Sequence, residues 1–259
     1  MLAAASLLAA STARAQTTGD VGALRGDLLG ADRDKAVAAA SNLGALAPAP
    51  KALQALLYAL ELGLPPRQAL ATLEAIGLFK DAQAIDLLRL YAGHRRADLR
   101  RAALEALAPI ADARAGAILV EALGDTEPTV RAKAARLCGE RRERAAEVAL
   151  LGLLARGDGA AAEPLGLVAG IETAKKLVEL IGQTDDVLLA EALGALLLRE
   201  DFGPDPLRVE LVKTLGKLPG SDPVAILDEY VKVSAGKEKE ERPSRIEAAR
   251  ILEGRKAAP

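Results

Sequence analysis

Side chains able to carry acid–base, nucleophilic or metal chemistry are scarce in this sequence. Its 259 residues include one histidine, His94, and one cysteine, Cys138. A metal site would therefore have to take most of its ligands from carboxylates, and a cysteine nucleophile would require Cys138 to meet His94 in the fold. Phosphate-loop, nucleophile-elbow and zinc-protease motifs are absent from the sequence. The sequence predicts no catalytic residue, no cofactor and no metal site.

Structural roles explain these two residues better than chemical ones. Cys138 occupies an apolar position of a helical pattern, and no neighbour in the sequence suggests a lowered pKa, so we expect a buried small hydrophobic residue. His94 lies where a helix is expected to begin, which favours a hydrogen-bonding residue at the end of a loop over a general base.

The pattern around which the chain is organised occupies residues 129–139. It reads Thr-Val-Arg-Ala-Lys-Ala-Ala-Arg-Leu-Cys-Gly, and its apolar residues share one face of a helix. Gly139 is expected to end this helix, since glycine tolerates the left-handed conformation that closes one. Weaker copies, aligned on the position before this glycine, are centred on Leu43, Ile76, Leu107, Val168, Leu193, Leu215 and Leu252.

A second apolar helix is predicted between most of these copies. The predicted ranges are 51–62, 81–92, 112–123, 143–155, 172–181 and 223–233. Each repeat of about 30 residues is then a helical hairpin, which cannot bury its apolar face alone and must stack on its neighbours. The predicted fold is all-α: an α-solenoid, a right-handed superhelix of about seven helical hairpins.

This pattern resembles the HEAT repeat, especially the shorter variety of phycobilisome-lyase-like proteins. The resemblance covers roughly residues 30–255 and rests on Val130-Arg131 after Asp125, on Leu99-Arg100 and on Leu207-Arg208. It implies an armadillo-like helical architecture, and it specifies architecture only.

In that family an aspartate and an arginine six residues apart tie each hairpin to its neighbour. Repeated along the array, these pairs form a ladder of contacts between hairpins. Asp125 and Arg131 match the pattern. The resemblance nevertheless implies a patchy ladder here, because other residues occupy three of its places: His94 before Arg100, Phe202 before Arg208, and Glu191 after Asp185.

Composition limits the kind of surface that the protein can offer. The chain is 51% apolar but only 2% aromatic and has no tryptophan, so its core must consist of alanine, leucine, valine and isoleucine. A binding surface must then work through arginine, carboxylates and shape. The net charge of −2 argues against a general nucleic-acid or anionic-membrane binder. Residues 94–144 are the most basic part, but interspersed carboxylates favour ordinary solvated helix faces over a positive binding strip.

The predicted domain organisation begins with a leader. Residues 1–15 read as an apolar run ending in Ala13-Arg14-Ala15, which is typical of a secretory signal cleaved after Ala15; the alternative is an alanine-rich first helix. If this leader is cleaved, the mature protein is expected to be exported, that is, periplasmic or secreted. If it is not cleaved, the protein is expected to be cytoplasmic. The later segments are a loop and capping helix (16–30), HEAT-like repeats (31–234), a charged linker (235–243) and a closing helix with a frayed tail (244–259).

The repeats are expected to be irregular around residues 157–206. Pro164 should shorten the first helix there to about 164–169, and the run 201–206 is a strong break before a helix at 207–218. This irregularity predicts either a functional kink or tolerated drift of the repeat. In the closing helix, Ser244 is expected to be the cap and Glu247 its capping-box partner.

The predicted function is a non-catalytic scaffold or adaptor that binds a protein or peptide, as a monomer or within a larger assembly, without a membrane span. HEAT-like proteins usually line their concave face with second helices. By that resemblance the candidate partner-binding residues are Arg89, Arg114, Glu121, Glu147, Lys175, Glu179 and Glu229. Alternatives are a chromophore-lyase-like enzyme, for which aromatic residues are few, and a HEAT-like nucleic-acid-binding protein, which an acidic chain fits badly.

Overall fold

Helices form all of the regular structure in the part of the chain that the computed structural model describes, residues 21–234 and 242–257. Four single-turn 3₁₀ helices, at 82–84, 122–124, 144–146 and 159–161, adjoin them. Residues 21–28 belong to α1. The helices that follow are α2 (Arg33–Gly44), α3 (Pro50–Glu61), α4 (Pro66–Gly77), α5 (Ile85–Ala92), α6 (Ala97–Leu107), α7 (Ala113–Glu121), α8 (Pro128–Glu140), α9 (Glu147–Ala155), α10 (Ala162–Val168), α11 (Ile171–Glu179), α12 (Asp186–Leu197), α13 (Asp205–Lys217), α14 (Asp222–Ser234) and α15 (Pro243–Ala257).

From α2 onward these helices form seven consecutive hairpins, as the period of the apolar pattern predicts. The chain comprises two compact units, whose described parts are residues 21–118 and residues 119–257 without 235–241. In the first unit α2, α4 and α6 stack in succession; in the second, α8, α10, α12 and α14 do so. The prediction of an all-α fold of the α-solenoid class is confirmed.

Most predicted helices lie within two or three residues of the observed ones, because proline and acidic residues mark their starts. Pro50, Pro66 and Pro128 occupy first-turn positions, where the missing donor costs nothing. Asp32 and Asp185 cap α2 and α12 with carboxylate oxygens that accept backbone N–H groups of the first turn. The shortened first helix expected near Pro164 is α10.

The expected change of register lies at the α12–α13 connection. The helix predicted at 207–218 was expected to begin a hairpin, yet α13 closes the hairpin that α12 opens, since no helix separates them. In consequence α13 packs between α11 and α15, while α14 packs on α12 in the stack of helices that open the hairpins, which we call the first layer. The break at Phe202 and Gly203 therefore shifts the array by one helix.

Gly139 does not end its helix, so that prediction is wrong. α8 continues to Glu140, and Gly139 lets α8 approach α10: a Cβ added there would lie 3.0 Å from the Pro164 Cα. Gly166 is the tightest case, because an added Cβ would lie 2.4 Å from the Ala192 carbonyl oxygen of α12. The repeat glycines thus permit close stacking of neighbouring hairpins.

The family arginine keeps its place even where the aspartate is missing. Arg131 Nη1 donates to the Asp125 carbonyl oxygen at 3.0 Å, six residues earlier. Arg100 Nη1 donates in the same way to the His94 carbonyl oxygen at 2.9 Å, and Arg208 Nη2 donates to the Phe202 carbonyl oxygen at 2.7 Å. The acceptor is a backbone oxygen, so the side chain at that place can vary, and this part of the ladder is more regular than expected.

The closing helix differs from its prediction in three respects. α15 begins at Pro243, so Ser244 lies inside its first turn. Asp205 accepts hydrogen bonds from the Ser244 N–H at 3.0 Å and from its hydroxyl, while Glu247 pairs with Arg250 at 2.7 Å, so no capping box forms. The helix also continues to Ala257, into the tail from Arg255 that was expected to fray, and Arg255 donates to the Gly216 carbonyl oxygen at 2.9 Å.

Several predicted segments lie outside the described residues. They are the leader at 1–15, the first part of the 16–30 loop, most of the charged linker and the last two residues.

Candidate functional site

Helix α9 has an apolar sequence on every side but is buried on only one. Apart from Glu147, its residues are Val, Ala, Leu and Gly. Leu150, Leu153 and Leu154 are buried, whereas the Val148 side chain is 82% exposed. A helix that is apolar all round normally has partners on all sides. The outer face of α9 therefore lacks a partner within the described chain.

Helix α11 forms the opposite wall and is strongly amphipathic. It buries Thr173, Ala174 and Leu177 and exposes lysines and glutamates. Glu147 fixes the start of α11, because its Oε1 accepts the Gly170 N–H at 2.9 Å. A carboxylate at a helix N-terminus also interacts favourably with the helix dipole.

Between α9 and α11 lies a groove of about 420 Å³, which we call the α9–α11 groove. Its floor is apolar, and its rim carries one positive charge, one negative charge and one amide. The lining residues are Val148, Leu151, Gly152, Ala155, Lys176, Glu179, Leu180 and Gln183. Such a surface can bury apolar side chains and set their orientation by charge.

Three of the seven predicted partner-binding residues belong to this groove or flank it. Glu179 lines it, Lys175 lies on α11 with its ammonium 2.9 Å from Glu172, and Glu147 is engaged with Gly170. Lys175 and Glu147 are thus partly committed to the fold.

The other four lie elsewhere. Arg89 is exposed on α5 beside Leu90, Arg114 pairs with Asp112 at 3.0 Å, and Glu121 is exposed at the end of α7. Glu229 was expected on a second helix, but α14 lies in the first layer because of the register shift, so that placement is wrong.

The apolar groove residues were missed at the sequence level because the expected contacts were charged. Val148 and Leu151 look like core positions in a repeat. The available signal was the run 148–155, which contains no polar side chain over two helical turns and therefore cannot have an ordinary solvated face.

A second cavity, of about 220 Å³, lies at the register shift; we call it the Arg208 cavity. Arg199 and Arg208 line it and are 7% and 3% exposed. Arg199 pairs with Asp201 at 3.1 Å. Arg208 has no carboxylate partner among the described residues: its Nη atoms donate to the carbonyl oxygens of Leu197, Arg199 and Phe202, each at 2.7 Å.

Asp201 joins two arginines. Besides Arg199, it accepts from Arg142 at 3.0 Å. Hydrogen bonds from Arg199, more than its charge, lower the pKa of the Asp201 carboxyl to about 2, with Arg142 contributing less.

Carboxylates or carbonyl oxygens engage several of the arginines in the basic part of the chain. Arg96 pairs with Asp98 at 2.7 Å, Arg136 with Glu140, and Arg131 with Asp158 at 3.1 Å. The Arg131–Asp158 pair lines a polar cleft of about 570 Å³. These pairs match the expectation of interspersed charges.

The expected roles of His94 and Cys138 are confirmed. His94 Nδ1 accepts the Arg96 N–H at 3.0 Å at the end of a loop. Cys138 is fully buried, and burial raises the pKa of its thiol to about 12. Among the described residues, no group of three or more potential ligands could hold a metal ion, and no helix there is long and apolar enough to cross a membrane.

Residues 53–136 match the family model for HEAT repeats, which confirms the resemblance over this part of the chain. One similar solved structure is the complex of CpcE and CpcF of phycocyanin lyase from Nostoc sp. PCC7120. It is 18% identical, with 89% of this chain and 92% of that chain covered and a TM-score of 0.47. Another is an engineered protein, 22% identical, with coverages of 92% and 97% and a TM-score of 0.36. No curated protein matches the sequence significantly. The protein is an α-solenoid in which residues 53–136 match HEAT repeats.

Proposed function

We propose that this protein is a non-catalytic binding module that holds an amphipathic helix of a partner protein in the α9–α11 groove. One observation carries the proposal: α9 is apolar on all sides, yet Val148 is 82% exposed. Exposed apolar surface of this kind is removed from water when a partner binds.

The groove suits a short helical segment. α9 and α11 each contain nine residues, which corresponds to about 14 Å or two and a half turns. A partner helix of that length presents apolar residues at i and i+4 to the floor formed by Val148 and Leu151. Lys176 and Glu179 on the rim favour a partner that carries both signs of charge.

The test replaces Val148 with aspartate in the full-length protein. Burying an aspartate against apolar side chains, together with the loss of the valine contact, should weaken partner binding by at least about tenfold. The measurements are co-purification from the native cells, followed by the Kd for the partner so identified.

Val187→Asp is the matched control. Val187 is 56% exposed, is also the second residue of its helix, and does not line the groove. Both variants should retain their helical circular dichroism, because both side chains are exposed. Equal loss of binding in the two variants, or no loss in either, would contradict the proposal.

We also propose that the protein acts after export, since residues 1–15 have the features of a cleaved leader. N-terminal sequencing of the protein from its native cells should give a start at Gln16; an intact Met1 would refute export.

A further inference from the structure

The α9–α11 groove is fixed at both ends by side chains that bridge its walls. At one end Glu147 Oε1 accepts the Gly170 N–H at 2.9 Å, just before α11 begins. At the other end the Thr184 hydroxyl donates to the Leu154 carbonyl oxygen at 3.4 Å. The start of α9 thus lies beside the start of α11, and its end beside the turn after α11, so the two helices run parallel. The groove is therefore preformed, and binding does not have to order its walls.

Each wall presents one side of its helix to the groove, because both sets of lining residues have the spacing i, i+3, i+4 and i+7. These positions are 148, 151, 152 and 155 in α9, and 176, 179, 180 and 183 in α11 and the turn that follows it. The α9 wall consists of valine, leucine, glycine and alanine, so both charged side chains of the lining belong to the α11 wall. A partner helix in the groove therefore meets charges on only one of its flanks.

The two charged side chains of the α11 wall are Lys176 and Glu179, and both are exposed. Neither has an ion pair among the residues that the structure describes, whereas their neighbours Lys175 and Glu172 pair with each other at 2.9 Å. Lys176 and Glu179 are also three residues apart, which is about 4.5 Å along the helix axis. Two opposite charges at a fixed spacing are thus available to a partner.

The order of these charges along α11 distinguishes the two directions in which a helix can lie in the groove. A helix whose apolar face lies on the floor turns one flank toward α11 when it runs parallel to α11 and the opposite flank when it runs antiparallel. A helix with opposite charges on one flank can therefore pair with both rim residues in one direction only. If its two charges are exchanged, both contacts become repulsive.

We propose that Lys176 and Glu179 determine the specificity of the α9–α11 groove and fix the direction of the bound helix. The partner helix has, on its flank toward α11, a carboxylate beside Lys176 and a cation beside Glu179, three or four residues apart. This inference rests on the proposed function, since it requires a helix in the groove. It adds the order of the partner's charges, which the apolar floor does not determine.

The test selects peptides that bind the full-length protein from a displayed library of helical peptides of about 14 residues, or roughly four turns. The library fixes leucine at the apolar positions and varies the flanks among alanine, glutamate and lysine. A selected peptide is compared with an isomer in which its flank glutamate and lysine are exchanged, so composition and net charge stay the same. By fluorescence anisotropy the Kd of the isomer should be about tenfold higher, because two attractive contacts are replaced by two repulsive ones.

Exchange of the rim charges in the protein is the critical variant. Lys176→Glu combined with Glu179→Lys keeps the net charge of the protein and should reverse the preference, so that the isomer binds about tenfold more tightly than the selected peptide. The matched control is Asp228→Lys combined with Lys232→Asp, which exchanges a solvent-exposed ion pair on α14 that does not line the groove. This control should retain the original preference.

The outcomes separate this inference from the proposed function. If no peptide is selected, or if the selected peptides bind Val148→Asp as tightly as the wild type, groove binding itself is contradicted and the inference falls with it. If binding requires Val148 but the two isomers bind equally, or the rim exchange leaves the preference unchanged, the inference is overturned while the proposed function stands. Reversal of the preference by the α14 exchange would overturn it as well.

Discussion

Replacing Gly166 with alanine should separate two hairpins that glycine holds together. Gly166 lies in the short helix α10, which packs against α12. A Cβ at this position would lie 2.4 Å from the Ala192 carbonyl oxygen, 2.6 Å from the Ala195 Cβ and 2.9 Å from the Leu196 nitrogen. Two of these are backbone atoms that no rotamer change can move, so α10 must shift away from α12.

The expected cost follows from two opposing effects. Overpacking a core costs about 1–3 kcal/mol, and the backbone contacts favour the upper end of that range. Alanine has a better helix propensity than glycine by about 1 kcal/mol. The net loss of stability should therefore be about 2 kcal/mol, which corresponds to a change of about 30-fold in a local opening equilibrium.

Hydrogen exchange followed by mass spectrometry is the suitable assay, because long repeat arrays need not unfold in a single two-state step. Protection should fall in α10 and α12 first, with smaller changes in distant hairpins. Gly254→Ala in α15 is the control, since nothing lies within 4 Å of its added Cβ. That variant should gain up to about 1 kcal/mol from helix propensity.

A Gly166→Ala protein that is as stable as the wild type, with unchanged exchange in α10 and α12, would refute the close-packing role of the repeat glycines. An equal loss of stability in Gly254→Ala would refute it as well, because that position has open space.

Three further predictions concern the charged and sulfur-containing groups. The pKa of the Asp201 carboxyl is lowered from its ordinary 3.8 to about 2. Its ion pairs therefore stabilise the fold fully above pH 3.8, and this stabilisation is lost as the pH falls toward 2. Asp201→Asn should remove this pH dependence from acid-unfolding curves. Burial raises the pKa of the Cys138 thiol to about 12. At neutral pH this thiol should therefore react with a thiol reagent at least about a hundredfold more slowly in the native protein than in guanidinium. Similar rates would show that the thiol is accessible. Arg131→Ala should lower the free energy of unfolding in urea by about 2 kcal/mol, because Arg131 donates hydrogen bonds to Asp158 and to two carbonyl oxygens. Arg136→Ala, at an exposed ion pair, should lower it by less than about 0.5 kcal/mol. Equal losses in the two variants would contradict the role of the ladder.

The helices could be predicted because their signals are local. Proline at first turns, aspartate caps and the apolar period determine where most of them begin. The role of Gly139 could not be predicted in the same way, since a glycine that ends a helix and one that admits a neighbouring helix look alike in one sequence. The difference depends on the residue opposite, Pro164, which is 25 positions away.

The layer occupied by α13 is likewise a tertiary property. Its sequence carries the first-helix pattern of a repeat, but the short connection through Phe202 leaves no room for a helix between α12 and α13. Glu229 was misplaced for this reason. The groove could not be predicted because the sequence of α9 is that of a core helix. Val148 is exposed only because no other described helix covers that side of α9, which is a tertiary property.

Site-specific photo-crosslinking from position 148 tests the central claim most directly. A photoreactive residue replaces Val148 in the full-length protein within its native cells, and a second variant carries it at Val187. The proposal predicts a covalent adduct with one partner protein from position 148 only, and the crosslinked peptide should carry apolar residues with helical spacing. Capture of the same partner with equal yield from both positions, or no adduct from position 148, would contradict binding in the α9–α11 groove.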